Sequence, residues 1–240
     1  MDNNYWLSRT ELLVGSVNIE KLQKAHVLIV GLGGVGAYAA ELICRAGVGE
    51  ITIVDGDKIV PSNINRQLPA LNSTLDKEKT EVIGERLKDI NPSLKLNIIN
   101  EYIKDERMIE ILEDKYDYVV DAIDTLSPKI YLIYNSVKKG LKIVSSMGAG
   151  GKYDPSLVKV ADIKKSFNCK LARVVRKRLN RLGISKGFKV VFSPEEISMD
   201  AVIIEESENK KSNVGTISYM PPIFGCFCAS VVIRDIVKAE

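Results

Sequence analysis

Four glycines, Gly31, Gly33, Gly34 and Gly36, fit the spacing G-x-G-x-x-G with one extra glycine inside it. A turn of that kind lets bare backbone approach a phosphate. A helix starting at its end aims free N–H groups and a partial positive charge at the same anion. Asp55 follows at the end of the next apolar run, where an acid accepts hydrogen bonds from a ribose. Pro61 to Gln67 then offers Asn63, Asn65, Arg66 and Gln67 in one polar run. Arg66 supplies a fork for phosphate oxygens, each charged hydrogen bond being worth about 1.5–3 kcal/mol. The alternative for this run is an asparagine-rich loop capped by its own side chains. Lys79 falls in the first turn of a helix, where a cation opposes the dipole, and that conflict suits a lysine reserved for phosphate. Asp124 closes another apolar run, where a carboxylate can hold magnesium that bridges to phosphates. The chemistry is nucleotide binding, and on the glycine turn alone the default ligand is a dinucleotide.

The elements that must position these residues are readable around them. Val27 to Val30 and Ile51 to Val54 are apolar throughout, as parallel strands covered on both faces are. Strands are also expected over 94–99, 118–124, 142–146 and 190–193, and helices over 76–91, 104–113, 129–138 and 225–237. The spacing predicts an α/β fold: a Rossmann-like, largely parallel sheet with helices on both faces. Gly31 and Asp124 then share the crevice at the carboxyl ends of the strands. Ser8 to Leu13 reads as a short capped helix with Leu12 and Leu13 pointing inward, and Arg9 stands apart as a cation ahead of the nucleotide fold. Met147 to Gly151 reads as a flexible crossover, and Glu195 to Ser212 as a mobile or edge segment. No repeat or low-complexity linker divides residues 1–240, so one domain is expected.

Composition narrows the function classes. With 240 residues, 45% hydrophobic and 27% charged, the chain has the makeup of a globular protein with a sizeable core. A net charge of +3 diagnoses no partner. Cys44, Cys169, Cys226 and Cys228 form no C-x-x-C pair, suit a reducing cytoplasm, and are read as packing residues on the helices that carry Cys44, Cys226 and Cys228. His26 is the single histidine and is assigned a surface or structural role, which excludes histidine-based triads. Met1 to Thr10 is polar and reads as no signal peptide. Met220 to Ile233 lacks charge but is short for a bilayer and begins near Pro221-Pro222, so no membrane span is expected. Charge is concentrated instead: residues 163–194 contain ten Lys and Arg and no acid. Arg173, Lys177 and Arg181 repeat at i, i+4, so with Arg176 they form a basic ridge suited to RNA.

Taken together, Gly31 to Gly36, Asp55-Gly56-Asp57, Ser62 to Gln67, Lys79 and Asp121-Ala122-Ile123-Asp124 resemble the ubiquitin-activating-enzyme-like adenylyltransferases. The resemblance covers nearly the whole chain. It implies ATP in place of a dinucleotide, and activation of a carboxylate as its acyl-adenylate. By that likeness Asp55 holds the ribose, with Asp57 and Gln67 in the same nucleotide site. Asn63, Arg66 and Lys79 hold the triphosphate, and Asp124 holds Mg2+. Arg9 matches an arginine that reaches across a homodimer interface onto the partner's ATP, neutralising charge on the leaving pyrophosphate.

Within that superfamily, Asp121 to Thr125 with Pro128-Lys129, Ser145 to Lys152 with Asp154-Pro155, Leu171 to Leu179, and Val191-Phe192-Ser193 resemble one branch. That branch dehydrates threonylcarbamoyladenosine in the anticodon loop of tRNA. The alternative is activation of the C-terminal glycine of a ubiquitin-like sulfur carrier, with sulfur-transfer partners. Relatives of that kind typically carry paired C-x-x-C zinc motifs, absent here, and Thr125 departs from the Asp-Asn found in many of them. Cys169 lies where a thioester cysteine would be sought, in a general basic field.

Overall fold

The computed structural model describes residues 5–103, 105–203 and 213–238. In chain order the elements are α1 (Ser8–Val14), α2 (Ser16–Lys24), β1 (His26–Val30), α3 (Gly36–Arg45), β2 (Glu50–Val54), α4 (Lys79–Ile90), β3 (Lys95–Ile99), α5 (Asp105–Ile111) and β4 (Tyr118–Asp121). They continue with α6 (Leu126–Lys138), β5 (Ile143–Ser146), β6 (Lys159–Asp162), α7 (Lys170–Arg181), β7 (Lys189–Phe192), β8 (Val202–Ile203), β9 (Asn213–Val214) and α8 (Met220–Val237).

Short apolar runs make the central strands because both of their faces are covered. Seven strands form one sheet in the order β3-β2-β1-β4-β5-β7-β6. All its pairings are parallel except that of β6 with β7. Alternate residues of β1 part company: Val27 and Ile29 enter a core with α2, α3 and α8, while Leu28 and Val30 enter a second core with α6 and α7. Helices therefore cover both faces, as expected. The register sets Val30 beside both Val54 and Asp121, so β1, β2 and β4 finish level at one edge of the sheet.

Several local expectations change. Leu12 and Leu13 do not point inward; they are 89% and 86% exposed, and it is the buried Leu7 that docks the arm, against Gly47. α4 begins at Lys79, three residues later than expected, after Asp76 turns the chain at φ +65°. β4 ends at Asp121, not Asp124, where the Ala122 N–H donates to the Val30 carbonyl at 2.9 Å. The crossover after β5 is anchored: Met147 N–H donates to Val191 O and Gly151 N–H to Gly215 O, both at 2.8 Å. The edge strand β6 has no apolar alternation to announce it. The part of Glu195 to Ser212 at 204–212, and Lys104 in the helix expected over 104–113, lie outside the described residues.

α8 starts at Met220, ahead of the expected 225, since Pro221 and Pro222 occupy a first turn whose N–H groups need no partner. It is apolar and long enough to cross a membrane by length and composition, yet Phe224, Cys228, Val231 and Val232 sit in the first core. Cys44 and Cys228 are packing residues as expected, whereas Cys226 faces solvent on the outer side of α8.

Candidate active site

The glycine turn sits where β1 gives way to α3. Gly31 adopts φ +92°, and a Cβ there would lie 2.8 Å from the Ala122 carbonyl oxygen. A Cβ on Gly36 would lie 1.7 Å from the Gly31 carbonyl, so only glycine lets the start of α3 close onto the turn. The Gly31 N–H donates to Val54 O at 2.8 Å, tying the turn to the end of β2. This is the level edge of β1, β2 and β4, at the point where strand order reverses, which is where open α/β sheets bind ligands.

Asp55 lies against that turn. Its Oδ2 accepts from the Leu32 N–H at 2.6 Å and its Oδ1 from the Asp57 N–H at 2.8 Å. Burial pushes its carboxyl above the ordinary range, against the opposing pull of Lys79 and the two N–H bonds. Asp57 binds Lys79: the ammonium donates to Asp57 Oδ2 at 2.6 Å, with 5% of the lysine side chain exposed. The Tyr102 hydroxyl donates to the other Asp57 oxygen, which pushes the phenol up to about 12. Asp55, Asp57 and Lys79 are thus brought to one end of the glycine turn, as the sequence predicts.

The polar run after β2 folds beside it. Asn63 is buried, and its carbonyl accepts from the Arg66 and Gln67 N–H groups at 3.1 and 2.9 Å. Gln67 Nε2 lies 3.7 Å from where a Cβ on Gly33 would stand, and its Oε1 is buried with no hydrogen-bond partner. The Arg66 guanidinium donates to Ser62 O at 2.8 Å and to Asn65 Oδ1 at 2.7 Å. The loop caps itself through Arg66, as the alternative reading has it, and through Gln67 it lies beside the glycine turn.

Asp124 is exposed in the loop from β4 to α6. Three residues before it, Asp121 anchors the start of the same loop, a role the sequence does not disclose. Asp121 Oδ1 accepts from the Ile123 N–H at 3.1 Å, and Oδ2 meets Lys129 Nζ at 2.6 Å, with both charged side chains 0% exposed. Lys129 also donates to Ser146 O at 2.9 Å, and Ser145 Oγ donates to Asp121. The signal was an acid ending an apolar strand and a lysine on the buried face of an apolar helix.

Other predicted site residues lie away from the glycine turn. Leu7 packs on Gly47, so the first turn of α1, which carries Arg9, lies at the far end of α3 from Gly36, about 15 Å along its axis. On α7, Arg173, Lys177 and Arg181 are exposed, whereas Arg176 is half-buried and partly spent within the fold: Nη1 donates to Ser166 O at 2.8 Å and to Ser166 Oγ at 2.6 Å. Lys189 is also taken, by Asp235 at 2.6 Å. His26 holds the opposite edge of the sheet through Thr52 Oγ1 at 2.8 Å and Lys115 O at 3.1 Å, the structural role expected. Cys169 is buried at the start of α7.

A doubly covered parallel sheet with a glycine turn, a buried acid and a lysine at its switch point defines a Rossmann-like nucleotide-binding protein. The sequence matches the ThiF family over residues 7–240, and the chain belongs to that family. It is 36% identical to the tRNA threonylcarbamoyladenosine dehydratase of Bacillus subtilis, over 96% of this chain and 94% of that one. The crystal structure of Escherichia coli tRNA N6-threonylcarbamoyladenosine dehydratase in complex with ATP matches with a TM-score of 0.89 at 30% identity, covering 97% of this chain and 94% of that chain. An AMP complex of the same E. coli protein matches with a TM-score of 0.88. Similarity to the adenylyltransferase and sulfurtransferase UBA4 of Lodderomyces elongisporus is 33%, over 65% of this chain and 34% of that protein.

Proposed function

We propose that this chain uses ATP to dehydrate threonylcarbamoyladenosine in tRNA, closing a ring through an acyl-adenylate. The observation that carries this reading is end-to-end likeness to dehydratases of that name, one of them solved with ATP and with AMP. The sulfur-carrier reading has a likeness that stops short of both proteins' full lengths.

In this account the triphosphate lies along Gly31, Gly33, Gly34 and Gly36, at the amino end of α3, and Asp55 holds the ribose. Asn63, Arg66 and Gln67 close over the nucleotide from the loop after β2. An ammonium has three N–H donors; Lys79 spends one on Asp57 and turns another to a phosphate oxygen. Asp124 is an exposed carboxylate, which suits Mg2+, a cation that takes few protein ligands and completes its shell with phosphate oxygens and water. Bound there, the cation would neutralise charge on the departing pyrophosphate.

The substrate carboxylate attacks the α-phosphorus and pyrophosphate leaves. A nitrogen of the same nucleoside then attacks the activated carbonyl carbon and gives up its proton. The C–O bond to AMP breaks, and the nucleoside has lost one water. Ring closure is intramolecular, so orientation supplies much of the rate without a covalent enzyme intermediate. No histidine or reactive thiol is needed. The exposed cations of α7, Arg173, Lys177 and Arg181, would grip the tRNA backbone.

A homodimer completes the proposal. Arg9 cannot serve its own glycine turn from the far end of α3, and it shares α1 with the exposed Leu12 and Leu13. A second copy would cover those leucines and receive Arg9 at its ATP. Four free thiols suit a reducing compartment, and a cytoplasmic setting belongs to the same reading. Incubation with ATP, magnesium and tRNA carrying threonylcarbamoyladenosine should yield AMP and a nucleoside lighter by one water. Pyrophosphate exchange that needs a sulfur carrier and ignores tRNA would instead support carrier activation.

A further inference from the structure

Tyr153 has an exposure that the fold goes to some trouble to maintain. Its ring is 69% exposed and meets Tyr219 edge-on, with centroids 6.2 Å apart. Its backbone is pinned from two sides. The Tyr219 hydroxyl donates to the Tyr153 carbonyl at 2.9 Å. Glu195 accepts from the Tyr153 N–H at 3.0 and 2.9 Å and from the Asp154 N–H at 3.1 Å, while buried Lys152 donates to the Glu195 carbonyl. The nearby acids are turned onto backbone: Glu195 as described, and Asp154 Oδ1 onto the Ser156 N–H at 2.8 Å. Tyr153, Asp154, Pro155, Tyr219 and Ile223 line one open hollow.

The surroundings say what this ring meets. Two residues beyond Tyr219, Pro221 touches the glycine turn, its Cβ lying 2.8 Å from where a Cβ on Gly34 would stand. On the other side the same loop reaches the basic helix, since a Cβ on Gly148 would lie 3.9 Å from Leu171 Cδ2 in the first turn of α7. The neighbours of Tyr153 thus reach both features: Tyr219 leads into Pro221 on the glycine turn, and the loop that carries Tyr153 touches, through Gly148, the first turn of the helix that carries Arg173, Lys177 and Arg181. An occupant spanning these three features needs negative backbone charge and flat apolar faces, which is the chemistry of single-stranded nucleic acid.

We infer that Tyr153 is a stacking platform for an RNA base beside the reacting nucleoside, with Tyr219 and Glu195 as its positioning residues. This rests on the tRNA reading above and deepens it, assigning a base contact where α7 supplies only phosphate contacts.

The test uses a tRNA anticodon stem-loop carrying threonylcarbamoyladenosine, with 2-aminopurine at the neighbouring nucleotide. Binding of the wild-type protein should quench the fluorophore, and Tyr153→Ala should abolish the quench and weaken binding about tenfold or more. Tyr153→Phe should behave as wild type because it keeps the π-face. Tyr219→Phe, which loses the hydroxyl bond to the platform, should fall between them. ATP affinity should be the same in all four proteins, which also reports that they are folded. Equal quench and equal RNA affinity in wild type and Tyr153→Ala would overturn the inference. Absence of ring closure by the wild type would count against the dehydratase reading alone, since the quench still reports whether Tyr153 stacks.

Discussion

Lys79 holds Asp57 twice: its ammonium lies 2.6 Å from Asp57 Oδ2, and its backbone N–H donates to the Asp57 carbonyl at 3.1 Å. The first turn of α4 is thereby locked to the residue that also donates to Asp55, the acid under the glycine turn. A lysine held this way has little rotamer freedom left to lose when a phosphate arrives, so its charge is already in place.

Replacing Lys79 with Met keeps the buried stem and removes the charge. Loss of a charged hydrogen bond of about 1.5–3 kcal/mol corresponds to ATP affinity falling about 10- to 100-fold. Titration calorimetry with ATP measures it. A change smaller than twofold would remove Lys79 from the triphosphate site.

The pair of Asp121 and Lys129 predicts a stability effect. Both side chains are fully buried, so removing either charge leaves the other uncompensated, at a cost of about 3–5 kcal/mol. Urea denaturation of Asp121→Asn and of Lys129→Met should each show a loss of that order. The double variant Asp121→Asn with Lys129→Met should lose less than the two losses added. Strict additivity would mean that the pair is not coupled.

These two lysines mark how much of the site the sequence discloses. Lys79 could be read because a cation opposing a helix dipole is a local conflict visible in the order of residues. Lys129 carries no such conflict: an acid ends the apolar run of β4 and a lysine lies on the buried face of α6, but that the two pair shows only once β4, β5 and α6 are packed together. The glycine turn, Asp55 and the strands that flank them follow from strong local patterns: apolar runs, tight turns and an acid at a strand end. The misplaced features share a different cause. Leu12 and Leu13 are apolar yet exposed, and Arg176 is basic yet held by Ser166, and neither fact is fixed by residue type or helical spacing.

That difference divides the basic helix into residues with distinct expected phenotypes. Substituting Arg173, Lys177 and Arg181 with Gln should flatten the slope of log affinity for tRNA against log salt by about 2, at roughly 0.7 per single-strand phosphate contact. Arg176→Gln should instead lower the melting temperature and leave the slope unaltered. Filter binding across a salt series distinguishes them, and an unchanged slope in the triple variant would place the RNA elsewhere.

The N-terminal arm is tested by complementation. Arg9→Ala and Lys79→Met should each be poorly active alone. Mixed and allowed to exchange, they should recover about a quarter of wild-type turnover, because half the dimers are hybrids with one complete site in two. Leu12→Asp combined with Leu13→Asp should sediment as a monomer and show no such recovery. Failure of the mixture to regain activity would rule out delivery of Arg9 in trans.

The acyl-adenylate itself is tested by following one oxygen. When the threonylcarbamoyl carboxylate of the tRNA is labelled with 18O and turned over with unlabelled ATP, ring closure through an AMP ester transfers one labelled oxygen to AMP. Mass spectrometry of the nucleotide products should find that label in AMP, with unlabelled pyrophosphate and a nucleoside lighter by one water. Label appearing in inorganic phosphate alongside ADP, or ring closure that leaves AMP unlabelled, would contradict the account.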